Sequence, residues 1–114
     1  MNIKRLADVP FADITGYDNI TKQVVIGPED GSQEIVLRYF KVAPGGSSPH
    51  HHHDFPHLVK VEAGEGIVID PDGKEQPIKA GNYVYVADNE PHCFKNTGQE
   101  ALEFICIVPA RGEG

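Results

Sequence analysis

Cysteine is scarce in this chain of 114 residues, which contains only Cys93 and Cys106. Two cysteines are too few for the disulfide framework of a small secreted domain, so the composition favours a reducing, cytoplasmic location. Basic residues are also scarce, because ten lysines and arginines stand against seventeen acidic residues and give a formal net charge of -7. Such a charge repels phosphate backbones and anionic lipids, which argues against nucleic acid and membranes as partners.

Long apolar runs are missing as well. The opening stretch from Met1 to Asp8 returns to charged residues too soon for a signal peptide or a membrane-spanning helix. No low-complexity linker or repeat of solenoid period interrupts the chain. Since a chain of this length can bury one hydrophobic core, we expect a single domain over residues 1–114.

What the chain does contain is frequent turn chemistry. Twelve glycines and nine prolines separate short runs rich in Val, Ile, Tyr and Phe, and no segment shows a helical period. This pattern predicts an all-β fold whose barrel covers residues 21–110, preceded by an N-terminal arm over residues 1–20 that packs along the barrel or on a neighbouring subunit. Eight strands are expected near Lys22–Ile26, Glu34–Val42, Pro49–His53, His57–Ala63, Gly66–Asp70, Tyr83–Val86, His92–Asn96 and Leu102–Val108.

The histidines are strongly clustered. Five of the six lie within one run of eight residues, and the sixth is His92. Because a strand sends alternate side chains to the same face, the run offers two possible inward pairs, His50 with His52 or His51 with His53. Only one of these pairs can face the interior.

Two further histidines share a strand face with apolar residues. His57 shares a face with Val59 and Val61, and His92 shares a face with Phe94, so both imidazoles are expected to point inward. Several neutral imidazole nitrogens around one point meet the requirement for a transition-metal site. Burying them without a partner would leave unsatisfied polar groups.

Less specific interpretations of the histidines also exist. The run could be an affinity tag, although its position between a Pro-Gly-Gly turn and an apolar strand argues against a tag. It could also be a solvated loop with only adventitious affinity for nickel or zinc. A single histidine such as His92 could be a hydrogen-bonded core residue. Its interpretation as a metal ligand therefore depends on the residues around it.

Those surroundings resemble the two motifs of the cupin superfamily. In the family, the first motif consists of a glycine, a His-x-His pair, a glutamate and a second glycine. Here Gly45, His51, His53 and Gly64 match in order and spacing, and His57 stands where the glutamate would be. This spacing favours His51 and His53 as the inward pair.

The second motif runs from Gly81 to Asn96 and places His92 at the family's fourth ligand position. Ala87 replaces the usual proline and Asn89 replaces the usual glycine. Because asparagine tolerates the left-handed conformation that a turn glycine often supplies, we expect the turn to survive.

The resemblance implies a single cupin domain with the double-stranded β-helix, or jelly-roll, barrel. It implies one divalent transition-metal ion bound by His51, His53, His57 and His92. The exchange of glutamate for histidine is similar to the four-histidine branch of small single-domain cupins, several of which bind manganese. Manganese is therefore the first expectation, and iron, nickel, copper and zinc remain open.

The expected chemistry follows from the ligand charge. Four neutral imidazoles offset none of the metal's charge, which favours a high reduction potential and the oxidation of a small organic substrate, as in a dioxygenase. A lyase or isomerase that uses the ion as a Lewis acid is an alternative, although no carboxylate base is evident. A non-catalytic small-molecule-binding cupin is the third possibility.

The expected pocket lining is mostly apolar. On the last strand, Phe104 and Cys106 alternate with Glu103, so both are expected to join Phe94 near the metal, although core packing alone would also explain them. Cys106 is the candidate catalytic residue, as a weak ligand or oxidation target, or else a simple pocket wall. Arg38 either fixes a substrate carboxylate or pairs at the surface.

A homodimer is expected from the strands that are apolar on both faces. Ile35–Val42 and Ile105–Val108 carry apolar residues at consecutive positions, which suggests burial against a second sheet or a second subunit.

Overall fold

The computed structural model describes residues 1–12 and 14–113; Asp13, within the predicted arm, and Gly114 lie outside the described residues. Three single-turn 3₁₀ helices cover Leu6–Asp8, Pro28–Asp30 and Ala110–Gly112. None of the helices in these residues has the length and apolarity needed to cross a membrane. The strands are β1 Phe11–Ala12, β2 Asp18–Ile26, β3 Ile35–Ser47, β4 His57–Ala63, β5 Glu65–Ile69, β6 Glu75–Lys79, β7 Tyr83–Val86, β8 Cys93–Lys95 and β9 Leu102–Pro109.

All nine strands belong to one antiparallel sheet that curls into a barrel-like shape. Its order is β6-β5-β8-β3-β9-β4-β7, and β2 pairs with β3 and β1 outside this path. The long strand β3 is therefore central, because it pairs with β2, β9 and, near its end, β8. The all-β fold predicted from the turn pattern is confirmed.

The core lies on one face of this curled sheet. In β9, Leu102, Phe104, Cys106 and Val108 are buried, and the residues between them are half-buried. This alternation confirms the predicted inward face of the last strand. On β4 the alternation likewise buries His57 on the same face as the apolar core residues.

Two predicted features of the strands are wrong. The strand expected over Pro49–His53 is reduced to a single bridge between His51 and His92, because the backbone bends on either side of it. Conversely, Glu75–Lys79 forms an edge strand that the sequence pattern did not reveal. Its Pro77 and polar residues are typical of a sheet edge, where a strand tolerates a missing backbone donor.

The N-terminal residues pack along β2, which begins at Asp18 rather than at Lys22 as expected. The amide of Gln23 donates hydrogen bonds of 3.0 Å to the carbonyl oxygens of both Leu6 and Val9. Because Gln23 is buried, these two bonds satisfy its amide nitrogen and hold the first residues of the chain against β2.

Gly64, the last glycine of the first motif, allows two loops to approach closely. Its φ is +78°, and a Cβ added there would overlap the carbonyl oxygen of Ala101. Gly73 has a similar φ of +81° but open space around it. We expect Gly64→Ala to lower the free energy of unfolding by about 3 kcal/mol or more, whereas Gly73→Ala costs about 1 kcal/mol. Urea denaturation measures both, and equal losses would contradict the close approach.

Candidate metal centre

An isolated pair of backbone hydrogen bonds brings His51 and His92 together. The amide of His51 donates to the carbonyl oxygen of His92 at 3.1 Å, and the amide of His92 donates to that of His51 at 2.9 Å. In such an antiparallel pair, the two side chains leave the same face. Their ring centres are accordingly 4.9 Å apart.

The structure shows which of the two possible histidine pairs of the run faces the interior. The side chains of His51 and His53 turn toward the cavity with ring centres 4.5 Å apart, while His50 and His52 are exposed. One nitrogen from each of His51, His53 and His92 lies within 4.8 Å of the other two. Three histidines are thus placed to bind one metal ion, whose identity the arrangement leaves open.

His57 lies beside this group on β4. Its ring centre is 4.9 Å from that of His92 and 5.3 Å from that of His53. Within the described part of the chain, its buried Nδ1 has no hydrogen-bond partner. A buried polar atom without a partner is costly, so the site around His57 suits an additional ligand. The participation of His57 as a fourth metal ligand stays a prediction.

The orientation of His92 is fixed by a backbone contact. Its Nδ1 lies 2.8 Å from the carbonyl oxygen of Glu90. Because a carbonyl can only accept, Nδ1 carries the proton and Nε2 keeps its lone pair. Hydrogen bonds of this kind commonly orient metal-binding histidines, so His92 is prepared as an Nε2 ligand.

Burial keeps the clustered imidazoles neutral. It is the main cause that lowers the pKa of His51 to about 4 and that of His57 to about 3, and the neighbouring His92 adds to both shifts. The pKa values of His53 and His92 are also lowered, again chiefly by burial. Since only a neutral imidazole binds a metal, these residues are ready to act as ligands at neutral pH.

This burial predicts a pH dependence for the metal-free protein. The folded pKa values of His51 and His57 lie below the ordinary value of 6.5. As the pH falls below 6.5, the unfolded chain therefore binds more protons than the folded chain does. We expect the free energy of unfolding to decrease from about pH 6.5 toward pH 4. Urea titrations across this range measure it, with His51→Gln as the comparison. An equal decrease in the variant would contradict the contribution of His51.

An aromatic row leads away from the histidines along the wall of a cavity of about 280 Å³. Phe94 meets His92 edge-on at 6.2 Å and stacks on Phe104 at 4.9 Å, and Phe104 stacks on Phe40 at 5.3 Å. The predicted lining residues Phe94, Phe104 and Cys106 all contact this cavity. Its volume suits a small ligand.

Cys106 lies beside Arg38 rather than within the histidine cluster. Arg38 is only 9% exposed, so the expected alternative of a surface pair is wrong. Its Nη2 donates a hydrogen bond of 3.0 Å to the Sγ of Cys106. Burial is the largest influence on the Cys106 thiol and raises its pKa, which favours the protonated form over a thiolate.

Several residues of the cavity were not predicted from the sequence. Lys22 Nζ lies 2.7 Å from Glu113 Oε2, and Glu113 Oε1 lies 3.4 Å from Arg38 Nη1. Phe55 stacks on His53 with ring centres 4.8 Å apart, and Tyr17 meets His51 edge-on. The position of Phe55 between two candidate ligands was a usable signal, whereas nothing in the sequence marks Glu113.

Comparison with known proteins identifies relatives of this chain. It is 36% identical to the oxalate-binding protein of Thermotoga maritima over 69 residues, which cover 60% of this chain and 56% of that protein. It is 28% identical to auxin-binding protein 1 of Arabidopsis thaliana over 115 aligned positions, which cover 93% of this chain and 58% of that protein. The chain thus spans a little over half the length of both.

Solved structures agree with this relationship. The polyketide cyclase RemF from Streptomyces resistomycificus superposes with a TM-score of 0.91 at 27% identity, covering 96% of this chain and 80% of that protein. The sequence pattern of the cupin domain matches residues 38–108, which contain all four candidate ligands. Because this match spans more than half of the sequence, the chain belongs to the cupin family.

Proposed function

We propose that this cupin is a metal-dependent oxidoreductase, of the dioxygenase type, that acts on a small organic substrate. The observation that supports this function best is the absence of a free carboxylate among the described residues that line the cavity. Glu113 is the only acidic residue in that lining, and it is paired with Lys22 and Arg38. Without an available carboxylate base, mechanisms that begin by removing a proton from carbon are disfavoured.

The proposed ligands are His51, His53 and His92, with His57 as the fourth and manganese as the first choice of metal. The donor set fits such an ion, because imidazole suits first-row transition metals and the orphaned nitrogen of His57 would gain a partner. When bound, the ion would supply one-electron chemistry or polarise an oxygen atom of the substrate.

The protein's own residues would shape the reaction around this centre. The backbone bridge holds His51 and His92 in place before any substrate arrives. Phe94 and Phe104 exclude water from one wall of the cavity. Burial raises the pKa of Tyr17, so its hydroxyl remains a proton donor at the cavity surface.

Oxygen consumption tests the proposal. Protein loaded with Mn(II), Fe(II) or Zn(II) is screened against small organic acids and phenols with an oxygen electrode. We expect oxygen uptake with the manganese or iron form and none with zinc, which has no accessible redox couple. Turnover that proceeds equally without oxygen, and equally with zinc, would overturn the proposal.

A second candidate is Lewis-acid chemistry without a change of oxidation state. The similarity to the polyketide cyclase RemF supports it, because a cyclisation needs no net oxidation. A lyase or isomerase reaction belongs to the same class. Oxygen-independent product formation with both the zinc and the manganese form would identify it. Tight ligand binding with no product would instead identify a non-catalytic small-molecule-binding cupin.

The homodimer remains a prediction. One exposed apolar surface of the structure is a candidate for its interface. Leu58 pairs with Tyr85 across β4 and β7, Tyr83 lies on the same edge strand, and all three side chains are more than half exposed. Exposed apolar side chains that cluster on one face often mark an interface. Light scattering of the full chain measures the oligomeric state, and a monomer at all concentrations would contradict the prediction.

A further inference from the structure

We propose that the cavity contains a second anchoring site, separate from the histidines, that binds a substrate carboxylate between Arg38 and Lys22. In this structure the carboxylate of Glu113 fills that site as an internal substitute. A carboxylate on the substrate would displace Glu113 from the cavity and take its place. The use of the site in catalysis rests on the proposed function, but the binding of a carboxylate does not.

Arg38 has donors that the protein does not satisfy. The guanidinium is 9% exposed and carries five N–H groups, yet its Nε has no hydrogen-bond partner among the described residues. Its Nη1 contact with Glu113 is long at 3.4 Å, and its Nη2 bonds to the weak acceptor sulfur of Cys106. A buried guanidinium with incomplete partners is costly for the protein alone and suits an incoming ligand.

Lys22 completes the site from the neighbouring strand. It pairs with Phe40 in the register of β2 and β3, two residues along from the pairing of Val24 with Arg38 and therefore on the same face. The side chains of Lys22 and Arg38 therefore meet at one wall of the cavity, where both contact Glu113. Because the group they hold is a carboxylate, the expected ligand class is an organic acid rather than a neutral molecule.

The charge balance of the cavity favours an anion despite the acidic protein. The formal net charge of the chain is -7, but the described cavity lining contains two cations and one anion. Displacement of Glu113 by a ligand leaves both cations facing that ligand. Since they are largely buried, their attraction for an anion is screened less by salt than at an exposed surface.

The geometry places this site within reach of the histidines. In the sheet, β9 lies between β3 and β4, so Arg38 and Val59 stand on either side of Cys106. His57 follows on the same face of β4, which puts two strand spacings, about 10 Å, between the strands that carry it and Arg38. The row formed by Phe40, Phe104 and Phe94 runs from the guanidinium of Arg38 to the ring of His92. A small acid with an apolar body fits such a space.

Glu113 can leave the site without breaking the sheet. It follows the 3₁₀ turn of Ala110–Gly112, outside the strands, and among the described residues its backbone amide donates to the carbonyl oxygen of Ala110 alone. Gly112 packs closely on the ring of Phe55, which in turn stacks on His53. Displacement of Glu113 therefore requires only a local movement of the segment after β9.

Calorimetric titration of the metal-free full chain tests the site directly. Arg38 and Lys22 are the two lysine or arginine side chains in the described lining of the cavity, so the titration is carried out at pH 8. Benzoate serves as the carboxylate probe and benzamide as its neutral counterpart of the same shape. We expect the Kd for benzoate to be at least about tenfold lower than that for benzamide, the value of one charge-assisted hydrogen bond.

Variants distinguish binding at this site from a general effect of the protein's charge. Glu113→Gln removes the internal competitor and is expected to lower the Kd for benzoate about tenfold. Glu103→Gln is the matched control, because it removes the same charge from a half-buried residue of β9 that does not line the cavity, and it should change nothing. Arg38→Met should raise the Kd about tenfold or more. If Arg38→Met does not fold, Lys22→Met and the gain in Glu113→Gln carry the test.

Three results would overturn the inference. Equal affinity for benzoate and benzamide would show that no anion site exists. Equal Kd values for Glu113→Gln and Glu103→Gln would show that Glu113 does not occupy it. Tighter binding of inorganic phosphate than of benzoate would assign the site to a different ligand class. Because this titration uses the metal-free protein, its result does not depend on the proposed function. Benzoate binding here, together with no oxygen uptake by the Mn(II)- or Fe(II)-loaded protein, would reject the proposed function and leave this site intact.

Discussion

Replacement of His51 by alanine is expected to weaken Mn(II) binding by more than about 100-fold, since changes to residues that merely support a ligand already cost 10- to 100-fold. His51 contributes a nitrogen to the three-histidine group, and its ring lies next to those of both His53 and His92. Its backbone bonds to His92 do not depend on the side chain, so the variant should keep the bridge.

His52→Ala is the matched control for this experiment. It removes the same side chain from the adjacent position, but that side chain is exposed and points away from the cavity. We expect His52→Ala to bind Mn(II) as the unaltered protein does, in titrations that compete with a fluorescent chelator. Equal losses in the two variants would indicate adventitious binding by a histidine-rich loop, and the metal centre as described would be wrong.

Loading with metal is expected to raise the free energy of unfolding by about 4 kcal/mol when the free metal concentration is 1,000 times the Kd. The candidate ligands come from separate parts of the fold, because His51 and His92 lie in two different loops and the predicted fourth ligand, His57, begins β4. The unfolded chain cannot hold them together, so metal bound to the folded state stabilises it. The unpartnered Nδ1 of His57 would also gain from a ligand.

Urea denaturation with and without Mn(II) measures this gain. The His51→Ala variant should lose most of it, because weaker binding reduces the linkage at the same metal concentration. A loaded protein that unfolds at the same urea concentration as the metal-free protein would contradict a built metal site. A gain that persists in His51→Ala would place the stabilising metal elsewhere in the molecule.

Most of the fold was predicted from the alternation of apolar residues along the strands and from the spacing of the two motifs. The inward face of β9 follows directly from period-two burial, and Asn89 adopts the left-handed conformation expected of a glycine substitute, with φ of 61°. These features are local, since each depends on residues within a few positions. The same local information placed Phe94, Phe104 and Cys106 beside the cavity.

Features set by contacts between distant segments could not be predicted. Glu113 reaches Arg38 and Lys22 through the turn after β9, and no local pattern marks that contact. The edge strand Glu75–Lys79 was not predicted, because it contains Pro77 and proline has a low β propensity. The strand expected over Pro49–His53 is only a bridge between His51 and His92. The length of this pairing depends on the distant residue His92, so the local sequence did not predict it.

The metal content of untagged protein, purified without added metal or chelator and compared with His57→Glu by electron spin resonance, tests the central claim most directly. His57 stands where the family's glutamate would be, so the variant exchanges a neutral donor for an anionic one beside His53 and His92. We predict nearly one manganese per chain, with a spectrum that the variant alters. Protein without a stoichiometric transition metal, or identical spectra in both proteins, would contradict a redox centre that includes His57.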